Sequence, residues 1–106
     1  MEQATEGIVW ISDSSFPGGG KYDGRENVQR WLGELWIYEE FSMNLEEIID
    51  LDGRALGITR CRALPPGGPR VDWQWCHLVS FKDGLISQVE SFLDRTQALK
   101  AAGLSE

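Results

Sequence analysis

The run Val71-Asp72-Trp73-Gln74-Trp75-Cys76-His77-Leu78-Val79-Ser80-Phe81 limits the fold more than any other stretch of the chain. Successive side chains of a strand point to opposite faces. Trp73, Trp75, His77, Val79 and Phe81 therefore share one face, and Asp72, Gln74, Cys76, Leu78 and Ser80 the other. Asp83-Gly84 follows, the strongest two-residue hairpin signal in the sequence, and Leu85 to Leu93 supplies the returning strand. The pattern predicts an antiparallel sheet whose Trp73, Trp75 and His77 face looks inward.

The remaining elements fit around this hairpin. Phe41, Met43 and Leu45 alternate with polar neighbours in a strand that closes at the tight turn Asp52-Gly53. The next strand, Arg54 to Leu64, stops at Pro65-Pro66-Gly67-Gly68-Pro69, because proline offers no N–H to a ladder. Near the start, Ile8 to Ser12 reads as a short strand and Asp13 to Gly20 as a Gly/Pro-rich surface loop. Asp23 with Glu26 has capping-box spacing, and Val28, Trp31, Leu32 and Leu35 recur at helical intervals as far as about Tyr38. Asp94 with Gln97 repeats the capping spacing ahead of Ala98 to Ala102, and Gly103 ends that short helix. The predicted order is strand, helix, four strands, helix: an α+β chain without internal repeat or linker. At 106 residues, 42% of them apolar, it reads as a single domain over 1–106 that folds without cross-links.

Composition removes several function classes. The formal net charge is −7 and the ten Lys and Arg residues are scattered, which argues against nucleic acid as a partner. No apolar run approaches the ~18 residues of a membrane span, and Met1 to Gly7 lacks the basic start and apolar stretch of a signal peptide, so no membrane and a cytoplasmic location are expected. Cys61 and Cys76 belong to no metal spacing and read as two buried, reduced thiols. One histidine gives no zinc pattern, and Gly18-Gly19-Gly20-Lys21 lacks the spacing and the following Ser or Thr of a phosphate loop. Neither a metal nor a cofactor is expected.

Gly20-Lys21-Tyr22-Asp23-Gly24-Arg25-Glu26-Asn27-Val28 resembles the G-x-Y-x-G-R-E-x-V stretch that introduces the long helix of many SnoaL-like proteins, a branch of the nuclear transport factor 2 (NTF2-like) superfamily. Glu46 to Asp50, Phe81 to Ile86, Phe92 to Asp94 and Ala98 to Leu104 are similar, in the same order, to further stretches of that family. The resemblance implies a cone-shaped, strongly curved antiparallel sheet packed around a helix, with a conical pocket open at one end. The family includes polyketide cyclases, ketosteroid isomerase, limonene epoxide hydrolase and proteins without a known reaction, and the fold does not choose among them. Related chains usually begin with about two further helices that cover one mouth of the cone. Here Met1 lies only a few residues before Ile8, so uncovered apolar surface and a homodimer that buries it are expected.

His77, the lone histidine, falls by this resemblance near the position where ketosteroid isomerase carries the protonated Asp of its oxyanion hole. There it could donate a hydrogen bond to a developing oxyanion or shuttle a proton; the alternative is a core histidine satisfied by its neighbours. The family's inward Asp on the last strand corresponds to Ser91, and the Arg and Asp of the epoxide hydrolase pattern to Gly57 and Thr59, so a second titrating group is missing. Trp10, Trp31, Trp73 and Trp75, with Phe81, either line a pocket for a flat apolar ligand or fill a small core. Ser12 and Asp13, at the end of the first strand, are placed to reach a pocket mouth. The first reading is a pocket protein for a small apolar molecule, with Trp10, Trp73 and Trp75 gripping it and Ser12, Thr59, Ser91 and His77 making polar contacts. If it is an enzyme, it is a cofactor-independent isomerase, cyclase or hydrolase acting on a ring compound, with His77 catalytic. The alternative is a non-catalytic binding or dimerisation module.

Overall fold

The computed structural model describes residues 4–12, 20–33 and 40–104. In chain order these form β1 (Ala4–Ile11), β2 (Lys21–Asp23), α1 (Arg25–Gly33), β3 (Glu40–Leu51), β4 (Arg54–Leu64), β5 (Val71–Lys82), β6 (Leu85–Phe92) and α2 (Arg95–Ala101). The strands make one curved, unclosed six-stranded sheet in the order β2-β1-β6-β5-β4-β3.

β3 to β6 form the antiparallel ladder that the turn signals predict. Asp83 (φ 52°) and Gly84 (φ 79°) both have the positive φ that a two-residue turn of type I′ requires, and Gly53 (φ 74°) turns β3 into β4. The sheet is not antiparallel throughout, however. β1 runs parallel to β6, pairing Trp10 with Val89 and Ile11 with Glu90, so the sheet is mixed. A parallel pair needs a long crossover instead of a hairpin, and its register is written in no local turn. β1 also begins at Ala4, ahead of the expected Ile8, and carries on its other edge the short β2, which the pattern alone does not mark.

Gly24 (φ 88°) turns β2 into α1, and its carbonyl accepts the first helical bond from Val28 N at 3.0 Å. Gly24 thus takes the cap position expected of Asp23, whose backbone carbonyl instead accepts from Asn27 Nδ2 at 2.8 Å. Leu35 and Tyr38, expected on the same helix, lie outside the described residues, as does the loop from Asp13 to Gly19. At α2 the expected cap is present: Asp94 Oδ1 accepts from Thr96 N at 2.9 Å. Gly103 (φ 83°) closes the helix while Leu104 N bonds Leu99 O at 2.8 Å, a Schellman ending.

The helices pack on opposite faces of the sheet. On the inner face, Val28 of α1 meets Ala4, Ile8 and Val89, and Trp31 meets Cys61 and Trp75. On the outer face, Ala98, Leu99 and Ala102 cover Leu56, Ile58, Cys76 and Leu78. The alternation along β5 is as predicted, but the side opposite His77 is buried as well, because Cys76 and Leu78 give α2 an apolar seat. Each large side chain so enclosed contributes on the order of 1.5–3 kcal/mol. Cys61 on the inner face and Cys76 on the outer are separated by the sheet, and both are free and buried. Burial raises both thiols, that of Cys76 to about 11, so neither is a ready nucleophile. Among the described residues no helix is long and apolar enough to cross a membrane.

Candidate functional site

The register of three strands builds the site. His77 on β5 lies opposite Ser91 on β6 and opposite Gly57 on β4, all on the inner face. Ser91 is 2% exposed, and two groups meet at its hydroxyl: Trp10 Nε1 donates to Ser91 Oγ at 2.9 Å, and His77 Nδ1 lies 3.1 Å from the same oxygen. An indole N–H can only donate, so the Ser91 oxygen accepts from Trp10. Its own proton then has one acceptor among the described residues, His77 Nδ1. That arrangement satisfies all three groups and places the imidazole proton on Nε2. The opposite tautomer would leave the Ser91 proton without an acceptor.

Aromatic rings hold the imidazole in place. Trp75 lies 4.6 Å from it between centroids, and Trp10 meets it edge-on at 5.7 Å. Trp31 of α1 stands 5.4 Å from Trp10 and edge-on to Trp75 at 6.4 Å, and Tyr22 stacks on Trp31 at 5.0 Å. Helix, first strand and central strand thus converge on one side of His77. Burial lowers its pKa from 6.5 to about 4, because the cation would lose its water. At neutral pH only about one ring in a thousand is charged. A neutral imidazole with a fixed Nε2–H is a hydrogen-bond donor. As a proton shuttle near pH 7 it is badly matched, since general acid–base catalysis works best with a pKa near the working pH.

Of the predicted site residues, Trp10, Trp75, His77 and Ser91 come together in direct contact. Trp73 is one ring further out, 6.3 Å from Trp75 and edge-on to Phe41 at 6.1 Å. Thr59 is buried on the inner face, but its hydroxyl donates to the Trp75 carbonyl at 2.6 Å and so fastens β4 to β5. Ser12 is buried just past the end of β1. Its backbone N bonds Gly20 O at 2.7 Å, while its hydroxyl has no partner among the described residues. Phe81, beyond a break in the β5–β6 register, is exposed. Tyr22 enters the sequence reading only within the family motif, and Gly57 only as a position where the epoxide hydrolase pattern is not met. A separate cleft of about 380 Å³, lined by Thr5, Gly7, Lys82, Asp83, Leu85 and Ser87, includes none of the predicted residues. The polar groups of Trp10, Ser91 and His77 converge away from that cleft.

The family model of the SnoaL-like domain matches residues 1–89. This chain belongs to the SnoaL-like family. Solved structures share its fold, an α+β cone of the NTF2-like kind. TerC, co-crystallised with polyporic acid, superposes with a TM-score of 0.76 at 14% identity, covering 92% of this chain and 78% of TerC. A Jannaschia sp. CCS1 protein described as a SnoaL-like polyketide cyclase gives 0.75 at 19% identity, covering 94% of this chain and 73% of that one. An NTF2-like protein from Burkholderia thailandensis E264 gives 0.76 at 24% identity, covering 97% and 79%. No curated protein matches this SnoaL-like chain.

Proposed function

We propose that this SnoaL-like chain acts as one domain that binds a small, largely apolar ring compound on the inner face of its sheet. His77 donates its Nε2–H to an oxygen of the ligand, and Trp10, Trp73 and Trp75 bound the ring. The observation that carries this reading is the relay from Trp10 through Ser91 to His77, which holds a neutral imidazole as a donor. Ligand sites of this kind are mostly apolar with few, well-placed polar groups. TerC, of the same fold, was crystallised with polyporic acid, which supports a small-molecule ligand.

Within this reading any catalysis is cofactor-independent, an isomerisation, cyclisation or hydrolysis in which His77 is the catalytic residue. Its contribution is to stabilise an oxyanion as charge develops, a role for which a preorganised donor in an apolar site is suited. We also propose a cytoplasmic homodimer. Phe81 and Leu85, exposed at the β5–β6 turn, are apolar surface that a second copy would cover. A mass that stays monomeric at every concentration would refute the dimer. The rival reading, a non-catalytic module, is favoured by the mutual contact of Trp10, Trp31 and Trp75, which a filled core also explains.

The test is an NMR titration of His77, the lone imidazole, with uncharged aromatic ketones and phenols. A saturable shift of the His77 ring signals, accompanied by a change in Trp fluorescence, is the expected result. Ring signals indifferent to every compound would leave the filled module as the correct reading.

A further inference from the structure

β3 closes one end of the sheet, and among the described residues it has a strand neighbour, β4, on one side only. It is 12 residues long, contains no proline and is held along its length. Arg70 Nη1 donates to Glu40 Oε2 at 2.6 Å, Arg95 Nη2 donates to Glu47 Oε1 at 2.9 Å, and Ile49 and Leu51 pack on the outer core. Between these anchors every residue from Ser42 to Glu46 is exposed, so both faces of the strand are open there. A long free edge is a template for another strand, and natural proteins commonly blunt it with lysine, proline or a short strand. β3 has none of these.

What the edge carries selects its occupant. Met43, Leu45 and Ile48 lie opposite Cys61, Thr59 and Gly57 and are 48%, 61% and 65% exposed. The same strand bears Glu40, Glu46, Glu47 and Asp50 and no Lys or Arg. Arg70 and Arg95 neutralise Glu40 and Glu47. Glu46, at the break in register between Leu45 and Glu47, and Asp50 have no ion pair among the described residues. A second copy would bring the same carboxylates to the shared edge, and like charges across a strand pair repel. A strand that carries Lys or Arg is attracted instead. At the ~4.8 Å spacing of neighbouring strands its cations fall well inside the ~8 Å screening length of physiological salt.

We infer that β3 docks an extended segment of another polypeptide, in which apolar residues alternate with Lys or Arg, as an added strand of the sheet. Main-chain hydrogen bonds along the free edge supply the affinity, and the alternating side chains supply the selection. The apolar ones cover Met43, Leu45 and Ile48, and the cations lie within reach of the field of Glu46 and Asp50. This surface is separate from His77, which stands two strands away on β5, and the inference does not depend on what binds there.

The probe is a blocked peptide of about eight residues in which valine alternates with lysine, titrated into the full chain while the backbone amide signals of Ser42 to Ile48 and the His77 ring signals are followed by NMR. The β3 amides should shift saturably with the His77 ring unmoved, and binding should weaken several-fold between about 0.05 and about 0.5 M salt. A valine–glutamate version should not bind, nor should a valine–lysine version interrupted by two prolines, which cannot pair along a ladder. Glu46→Lys combined with Asp50→Lys should weaken the valine–lysine peptide about tenfold, with the urea midpoint near that of the wild type because both positions are exposed. The peptide and salt comparisons use the wild type alone, so they decide the question even if the double variant does not fold. Equal binding of the valine–glutamate peptide would overturn the charge selection, and equal binding of the proline version would overturn strand addition. Shifts confined to His77 would place the peptide elsewhere and overturn the edge site. β3 amide signals that move with protein concentration alone would make a second copy the occupant and overturn the basic partner. A wild type that does not bind the valine–lysine peptide would overturn the inference outright, and none of these results touches the proposed function.

Discussion

When the protein is taken from about pH 7 to about pH 4, the imidazole of the unfolded chain gains its proton near the ordinary value of 6.5, whereas the folded chain resists until about 4. The unfolded state therefore binds more protons throughout this window, and stability falls as the pH falls. The stabilisation is complete above 6.5, drains away between 6.5 and about 4, and changes no further below that. At ~1.4 kcal/mol for each pH unit of the gap, His77 accounts for a loss of about 3 kcal/mol. Carboxylates also titrate near the lower end, so the measurement must be a difference. Urea unfolding of the wild type and of His77→Gln, repeated across this range, isolates the imidazole, because the variant lacks its proton equilibrium. The gap between the two stability curves should be constant near neutrality and shift by about 3 kcal/mol against the wild type by about pH 4. Parallel curves would mean that the folded imidazole titrates normally, and the neutral donor derived above would lose its basis.

Three further substitutions probe the same framework. Ser91→Ala strips Trp10 Nε1 and His77 Nδ1 of their common partner, so it should cost about 1–3 kcal/mol and abolish the pure Nε2–H tautomer in the nitrogen shifts of His77; an unchanged tautomer would refute the relay. Ser12→Ala removes a buried hydroxyl without a partner among the described residues, so urea unfolding should show no loss and a gain of up to ~1 kcal/mol. Asp94→Ala deletes the cap of α2 and should cost about 1 kcal/mol by the same assay, leaving His77 signals unmoved because α2 packs on the other face.

What the sequence made legible followed from local rules. The alternation of β5, the Asp-Gly turns and the Asp94 cap are each specified by neighbouring residues, and each is present in the structure. The parallel pairing of β1 was not legible, because nothing near Ile8 to Ser12 encodes a partner as distant as β6. The inward direction of His77 could be read from its period, but its tautomer could not, since that depends on a hydroxyl and an indole from two other strands. Thr59 shows the opposite failure: its inner-face position follows from alternation, yet its hydroxyl turns to the neighbouring strand's carbonyl. A small side chain that can reach a backbone acceptor commonly does so, and pattern alone does not reveal it.

The two cross-strand partners of His77 differ in what they carry. Ser91 sets a hydroxyl beside the imidazole and Gly57 carries no side chain, and the β4–β5–β6 register brings both beside His77. An inward Asp in place of Ser91 would have raised the histidine's pKa by favouring its cation. A hydroxyl orients the ring without charging it, so burial alone decides the protonation state. The Ser91 hydroxyl therefore leaves a donor that is neutral and oriented. On the proposed function, such a donor suits recognition of an uncharged oxygen acceptor better than proton transfer near neutral pH.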